Sequence, residues 1–307
     1  MDICFVCNGH VFAVNMGITI VSILKNSDKD DKFHFHIISD DISEEDKNSI
    51  ILLKEIKDFD ITFYMISQER INMYKKLIEI SNGNFHPFFG HTVMYKFEIS
   101  NLNLDKVLLL DIDLIVLKSL KEVFNTNIND YCIAAPESCN DCVYYSRNEF
   151  ITNFLDIKAK DKDKIFDGTR QYVESFFQNI GQPDKNVYNW VSAGFILINV
   201  KKFREIFSYE NLESACKYIS NIRKNFAEEE IINLLLKKDS IKVIDKKHHM
   251  VSAIWLEDKY IDEATTVHCS GGKIYSLGKV NATKGFVAPI EKNKAFILGW
   301  KYLMMTR

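Results

Sequence analysis

The sequence predicts an α/β fold in which a mostly parallel sheet is flanked by helices, and three observations support this prediction. Runs of apolar and β-branched residues alternate along the chain with segments of helical apolar spacing. One run, 106–110, is almost wholly apolar, as expected of a strand that is buried on both faces. The chain has 307 residues and is 47% hydrophobic, which is enough for a large core of this kind.

Local patterns place the elements in chain order. Strands are expected at residues 3–7, 33–39, 61–66, 106–110 and 131–135, and again within 191–200 after a group of small residues. Helices are expected at residues 16–24, 43–57 and 226–236. Ser43 is a typical N-cap for the second of these helices, and the third opens with three glutamates.

Composition excludes several classes of protein. The net charge of −3 argues against broad nucleic-acid binding, so we expect no nucleic-acid partner. No stretch reaches the roughly 18 apolar residues of a membrane-spanning helix, and the N-terminus lacks the basic region of a signal peptide. Seven cysteines, several of them in apolar runs, predict buried thiols in a reducing cytoplasm. Cys139-x-x-Cys142 has no second pair at zinc spacing, which disfavours a structural zinc site.

The most informative motif is a pair of carboxylates, Asp111 and Asp113, directly after the run 106–110. On an extended chain these alternate side chains point the same way. Two carboxylates held so close repel each other unless a cation joins them, and carboxylate oxygens suit Mn²⁺ or Mg²⁺. Open α/β sheets bind ligands at this end of their strands. The pair therefore predicts a metal and diphosphate site, although the tripeptide is common by chance and could be two solvated aspartates.

A second informative segment is 266–273, where a strand-borne histidine, His268, precedes a glycine turn and Lys273. Histidine is a common metal ligand, and glycine-turn amides with a lysine form a natural cradle for a diphosphate. The remaining histidines receive a structural interpretation: His10, His34, His36, His86, His91, His248 and His249.

Together these residues resemble glycosyltransferase family 8, which comprises retaining enzymes of the GT-A fold that use UDP-sugars and includes bacterial lipopolysaccharide α-galactosyl- and α-glucosyltransferases. The resemblance depends on residues 105–113, on the strand that ends at 197–203, and on His268-x-x-Gly271 with Lys273. It covers roughly residues 1–136 and 187–275. It implies a GT-A (Rossmann-like) transferase domain spanning 1–275.

The resemblance also implies a site. Asp111, Asp113 and His268 would bind Mn²⁺, with Mg²⁺ as an alternative, and Gly271 and Lys273 would neutralise developing charge on UDP. Glu228 and Glu229 would face the sugar and its reactive carbon as the catalytic residues. Further contacts to the UDP-sugar are expected from Val6, Asn8, Lys96, Asp111, Ile112, Ser192 and Ala193.

Some positions depart from the family pattern. In the family, an arginine usually precedes the strand that carries the D-x-D motif, here Asp111 and Asp113, and Lys96 is the nearest substitute for it. A lysine cannot reproduce the bidentate hydrogen bonding of an arginine side chain. Family members typically have an amide where Glu229 stands. Its carboxylate could be a nucleophile or could stabilise a cationic centre, and the sequence leaves both open. Phe12 is the nearest aromatic residue that could stack on uracil. These changes leave the choice between galactose and glucose open.

Two segments lie outside the resemblance. Residues 137–190 read as an inserted lid or acceptor-binding segment, although their aromatic residues could equally form a small core. Residues 276–307 end in a short apolar and aromatic tail that could pack on the domain as a helix or touch a membrane surface peripherally.

The resulting hypothesis is a metal-dependent retaining transfer of galactose or glucose from a UDP-sugar to a glycan or lipopolysaccharide-type acceptor, at the cytoplasmic side of a membrane or in the cytoplasm. The alternative is a catalytically degenerate protein of the same fold that binds UDP-sugars or glycans. A phosphatase of the haloacid-dehalogenase type is disfavoured, because its D-x-D motif normally lies on the first strand.

Overall fold

The computed structural model describes residues 1–86, 90–136, 173–185, 189–222, 226–251, 262–268 and 302. The strands within these ranges are β1 (Asp2–Val6), β2 (His34–Ser39), β3 (Asp60–Met65), β4 (Lys106–Leu110), β5 (Leu114–Val116), β6 (Ile133–Pro136), β7 (Phe195–Asn199), β8 (Ile241–Ile244), β9 (Met250–Val251) and β10 (Thr266–His268). The α-helices are α1 (His10–Lys25), α2 (Glu44–Leu52), α3 (Gln68–Ile80), α4 (Lys121–Phe124), α5 (Val200–Ile206), α6 (Tyr209–Ile222) and α7 (Glu228–Leu235). A long 3₁₀ segment runs from Thr92 to Asn101.

The main sheet has seven described strands in the order β3-β2-β1-β4-β7-β6-β8. Neighbouring strands are parallel except at β7, which is antiparallel to both β4 and β6. A smaller sheet has the order β5-β10-β9. The predicted α/β fold with a mostly parallel sheet flanked by helices is therefore confirmed.

Helices cover both faces of the main sheet. Along β1, Ile3 and Phe5 pack into one core with α1 and α2, whereas Cys4 packs into the other with α3 and α5–α7. This alternation follows from the two-residue period of a strand. Helix α1 is buried over most of its length, because it packs against both the main sheet and the smaller sheet. The described cysteines, Cys4, Cys7, Cys132 and Cys216, are buried free thiols.

Several element boundaries differ from those expected from local patterns. Helix α1 begins at His10, earlier than the expected residue 16, directly after the turn at Gly9, whose φ is +75°. Ser43 does cap α2, because its Oγ accepts a hydrogen bond from the Asp46 N–H at 3.1 Å. This helix ends at Leu52 and continues as a 3₁₀ turn over 53–55.

The strand β4 ends at Leu110, so Asp111–Asp113 form a turn between β4 and β5 instead of extending the strand. Helix α1 stabilises this reversal, because the Thr19 Oγ1 lies 2.8 Å from the carbonyl oxygens of both Ile112 and Leu114 and can donate its one hydrogen to either. The expected strand alternation is therefore not what brings the two aspartates together. The two aspartates are brought together by the turn, which forms because the chain changes direction before β5 to pair with β10.

The segments outside the main domain are only partly described. In the expected insertion, Val173, Phe176 and Phe177 form a small cluster with Trp190. In the expected tail, the described residue is Tyr302, which is buried and accepts a hydrogen bond from Asn26 Nδ2 at 2.8 Å. Among the described helices, none combines the length and apolar character that crossing a bilayer requires.

Candidate active site

The carboxyl ends of β1 and β4 and the start of β7 meet at one edge of the main sheet, because β7 runs in the opposite direction to β4. At this edge the Asp111 N–H donates to the Gly194 carbonyl oxygen at 2.9 Å. Pairing of β10 with β5 brings the end of a distant segment to the same place. The edge is where ligands bind in open α/β sheets.

Asp111, Asp113 and His268 come together here, with one ligand atom from each lying within 4.8 Å of the others. His268 Nε2 is 2.9 Å from Asp113 Oδ1 and 3.7 Å from Asp111 Oδ2. Burial alone would lower the pKa of His268, but the charge and hydrogen bond of Asp113 raise it overall. The same contact holds the pKa of Asp113 below its usual range despite the burial of that carboxyl.

Gly194 lies against this triad and was not identified from the sequence. A Cβ at this position would approach Asp111 Oδ2 to 2.9 Å, closer than real side-chain contacts allow, and His268 Cε1 to 3.0 Å, which is tighter than most real contacts. Only a residue without a side chain leaves this space open. The signal in the sequence was the group of small residues before β7, which predicts close approach of a ligand to the backbone.

Lys96 is the buried cation of the site. Its Nζ lies 2.7 Å from Asp111 Oδ1 and 2.9 Å from Glu228 Oε1, and it also donates to the Ala193 carbonyl oxygen at 3.1 Å. Burial by itself would lower the pKa of Lys96, but the two carboxylates raise it above its ordinary value. The lysine is therefore charged at neutral pH, and it connects the D-x-D turn to the start of α7.

Glu229 follows Glu228 on the first turn of α7, and both of its oxygens accept hydrogen bonds. Trp190 Nε1 donates to Oε1 at 2.6 Å, and the Ala193 N–H donates to Oε2 at 3.0 Å. Burial, together with the charge of Glu230, raises the pKa of Glu229 to about 7. Glu229 thus fixes the segment 190–193 against the helix.

Asn233, one turn further along α7, holds the same segment. It is fully buried, its Oδ1 accepts from the Val191 N–H at 2.8 Å, and its Nδ2 donates to the Val191 carbonyl oxygen at 2.9 Å. The segment 190–194 is therefore anchored by α7 on one side and by the turn at Asp111–Asp113 on the other.

A second histidine, His249, lies next to His268 of the triad. The ring of His249 packs against the rings of His268 and Phe195, with centroids 5.2 and 5.4 Å apart. Its Nε2 is 3.5 Å from the Ser192 hydroxyl. His249 was interpreted from the sequence as structural, and its position depends on the β9–β10 pairing, which no local pattern reveals.

The end of β1 forms the remaining wall of the edge. Val6 is half-buried there, and the Asn8 side-chain amide donates to Asp40 Oδ1 at the end of β2. Tyr95 donates to the other oxygen of Asp40 at 2.6 Å. Phe12 is 41% exposed on the first turn of α1.

The structure thus brings most of the expected site residues to one edge of the sheet, and adds Gly194, Asn233 and His249. The expected diphosphate ligands Gly271 and Lys273 lie outside the described residues, so their positions stay a prediction.

This architecture is that of known sugar transferases. A crystal structure of the galactosyltransferase LgtC in complex with donor and acceptor sugar analogues matches 99% of this chain and 96% of its own, with a TM-score of 0.67 and 16% identity. The glycosyltransferase GlyE of Streptococcus pneumoniae TIGR4 matches 99% of this chain and 61% of its own, with a TM-score of 0.57 and 16% identity. At these identities the similarity defines the fold, which is the GT-A fold expected from the sequence.

The sequence profile of glycosyl transferase family 8 matches residues 3–272, and the chain therefore belongs to this family. A "putative glycosyltransferase" of Haemophilus influenzae is 24% identical over 247 residues, covering 80% of this chain and 62% of the relative. A "lipopolysaccharide 1,2-glucosyltransferase" of Escherichia coli is 25% identical over 219 residues, covering 65% of this chain and 61% of the relative. The matches span about three fifths of the length of these two relatives.

Proposed function

We propose that the chain is a metal-dependent retaining hexosyltransferase that moves galactose or glucose from a UDP-sugar to a glycan or lipopolysaccharide-type acceptor. The observation that carries the proposal is the convergence of Asp111, Asp113 and His268 at the carboxyl end of β4. A related transferase that acts on lipopolysaccharide, from Escherichia coli, supports the acceptor class.

The residues of the triad fit a divalent cation. Two carboxylates and one imidazole are a donor set that Mn²⁺ accepts, with Mg²⁺ as the harder alternative. The space that a side chain at Gly194 would fill lies beside Asp111 and His268. A cation held by Asp111, Asp113 and His268 would supply Lewis acidity toward the diphosphate leaving group.

Lys96 organises this centre before any ligand arrives. Lys96 pairs with both Asp111 and Glu228, and it therefore fixes the positions of these two carboxylates relative to each other. Such preorganised charges stabilise a transition state without reorganisation during the reaction. In this proposal Lys96 positions the acidic groups, and contact with the UDP-sugar is secondary to that role.

Glu228 and Glu229 are proposed to border the donor sugar together with Ser192 and Ala193. Both oxygens of Glu229 already accept hydrogen bonds from Trp190 and Ala193. This favours Glu229 as a stabiliser of positive charge at the sugar over a role as nucleophile. Retention would then proceed by attack of the acceptor on the face that the leaving group occupied.

The donor nucleotide is proposed to lie along the edge between β1 and the D-x-D turn. Val6 and Asn8 would face the uracil, and Ile112 would line the path to the diphosphate. In this proposal Gly271 and Lys273 complete the diphosphate site, and the family resemblance is the basis for including them.

The domain organisation is likewise proposed. The transferase domain would span 1–275, with 137–190 as an inserted segment that covers the donor site or receives the acceptor. Residues 276–307 would form a helical, aromatic tail, and the buried ring of Tyr302 supports packing on the domain over contact with a membrane surface.

The proposal is tested by measuring UDP release from UDP-galactose, UDP-glucose and other UDP-sugars, with Mn²⁺ and with EDTA. We expect release from one sugar that requires Mn²⁺ and is lost in Asp113→Ala. Asp105→Ala, at the exposed residue directly before β4, should keep this activity. Binding of UDP and Mn²⁺ with no sugar release, even with glycan acceptors added, would favour the degenerate alternative. A chain that binds no UDP at all contradicts both.

A further inference from the structure

A second cluster of metal-ligating side chains lies at the opposite end of the main sheet. Asp2 opens β1 and His34 opens β2, and the two are register partners. His36 follows two residues later and therefore points to the same face as His34. Since β1, β2 and β4 are parallel, this cluster is at the amino ends of the strands, away from the candidate active site.

The two imidazoles approach the same carboxylate oxygen of Asp2. Asp2 Oδ1 lies 2.9 Å from His36 Nε2 and 3.8 Å from His34 Nδ1. The two imidazole rings are adjacent, with their centroids 4.0 Å apart. One ligand atom from each residue lies within 4.8 Å of the other two.

The outer nitrogens of both rings are held by β3. His36 Nδ1 is 3.1 Å from the Tyr64 hydroxyl, and His34 Nε2 is 2.8 Å from Thr62 Oγ1. Metal-binding histidines have this arrangement, in which one ring nitrogen faces the ion and a second group fixes the other. A hydroxyl can accept as well as donate, so each can receive an N–H from its ring when the inner nitrogen gives its lone pair to an ion.

We propose that Asp2, His34 and His36 form a metal site for an ion of the Zn²⁺ class, separate from the catalytic centre. Bond lengths of about 2.0–2.1 Å in a tetrahedral site place neighbouring ligand atoms about 3.3 Å apart. The distances from Asp2 Oδ1 to the two histidine nitrogens, 2.9 and 3.8 Å, lie on either side of that value, and all three ligand atoms lie within 4.8 Å of one another. Two imidazoles and one carboxylate favour zinc-like ions over the harder Mn²⁺.

The site is open to solvent on one side. His36 is buried, whereas the side chains of Asp2 and His34 are 33% and 36% exposed. A water molecule would complete the shell. The ion would join β1 to β2, and through Thr62 and Tyr64 also to β3, so we infer a stabilising role for the amino end of the sheet.

The test uses the full chain with Asp111→Asn and Asp113→Asn, which removes the carboxylates of the candidate catalytic site. Zn²⁺ alone is titrated calorimetrically, and thermal unfolding is followed with and without Zn²⁺. We expect one Zn²⁺ per chain and a rise in Tm, since an ion that binds only the folded chain stabilises it.

In this background, His34→Ala and Asp2→Asn should each weaken Zn²⁺ binding by about tenfold or more and abolish the rise in Tm. Both positions are partly exposed, so the variants should fold, which circular dichroism checks. Asp60→Asn is the matched control, because Asp60 is the exposed register partner of His34 on β3, and its Zn²⁺ affinity should not change. Absence of stoichiometric Zn²⁺ binding, or binding that either ligand variant leaves unchanged, would overturn the proposal.

Discussion

Lys96 shows how one residue can set the electrostatics of a site. A buried ammonium is unfavourable by itself, yet it is the counter-charge that allows Asp111 and Glu228 to lie close together. Sequence comparison suggested that Lys96 replaces an arginine as a ligand of the donor. Its contacts add a structural role to that expectation, because Lys96 Nζ pairs with Asp111 and Glu228 and donates to the Ala193 carbonyl oxygen.

Replacing Lys96 by methionine keeps the side-chain volume but removes the charge. We expect Lys96→Met to lower the free energy of unfolding by about 2–4 kcal/mol, because two carboxylates, one of which is partly solvated, lose their buried partner. Urea unfolding measures this change. Lys96→Arg should lose less, since it keeps the charge, and Lys76→Met on an exposed position of α3 should be nearly neutral. A nearly neutral Lys96→Met would show that the ion pairs do not stabilise the fold.

Glu229 provides a prediction about pH. Its pKa of about 7 in the folded chain lies above the ordinary value of 4.5, so between these values the folded chain holds a proton that the unfolded chain has lost. The contribution of Glu229 to the free energy of unfolding is therefore fully present below about pH 4.5 and is lost as the pH rises through about 7.

Comparison with Glu229→Gln isolates this effect from the titrating groups that do not interact with Glu229. The free energy of unfolding of the native chain minus that of Glu229→Gln should fall by roughly 1–3 kcal/mol between pH 5 and pH 8. Denaturant unfolding at several pH values gives the difference, and Glu79→Gln on the exposed side of α3 is the control variant. A difference that is constant, or that grows with pH, contradicts the assignment of a raised pKa to Glu229.

At the scale of elements, the site depends on how α7 holds the segment before β7. Ser192 and Ala193 have small side chains, and Gly194 has none. Their backbone is fixed by Glu229 and Asn233 from the helix, through the N–H groups of Ala193 and Val191. Because Gly194 ends this segment and lies against the triad, the position of α7 affects the geometry of the triad.

Asn233→Ala tests this link. Two backbone groups of Val191 would lose their partners in the interior, so we expect a loss of about 2–4 kcal/mol in the free energy of unfolding. Affinity for UDP-sugar should fall as well, because the segment borders the proposed donor site. Urea unfolding and calorimetric titration measure the two effects. Asn211→Ala, which removes an exposed amide, is the control; equal stability of the two variants would refute the link.

Local patterns predicted part of this organisation. The strands and the capped α2 were recognisable because burial and capping leave signals within a few residues, as in the run 106–110 and at Ser43. Family resemblance added the expected partner of the Asp111 and Asp113 pair, His268. The reversal of β7 and the pairing of β10 with β5 were not predictable, since each joins segments far apart in the chain.

The same limit explains which site residues were missed. Gly194 and Asn233 matter through contacts between β7, α7 and the D-x-D turn, and His249 through pairing of β9 with β10. The cluster of Asp2, His34 and His36 arises only when β1 and β2 align in register. Each of these features depends on tertiary pairing, whereas sequence periodicity reports on one element at a time.

At the scale of the whole molecule, we propose that Asp111, Asp113 and His268 hold a divalent cation that binds the UDP portion of the donor. The most direct measurement is calorimetric titration of UDP into the native chain with Mn²⁺ and with EDTA, repeated with Asp113→Asn. Asp105→Asn is the matched control at the other end of β4.

We predict that Mn²⁺ raises the affinity for UDP by about tenfold or more in the native chain and in Asp105→Asn, and that Asp113→Asn loses this gain. UDP binding that is equally tight in EDTA, or a gain from Mn²⁺ that persists in Asp113→Asn, would contradict the claim.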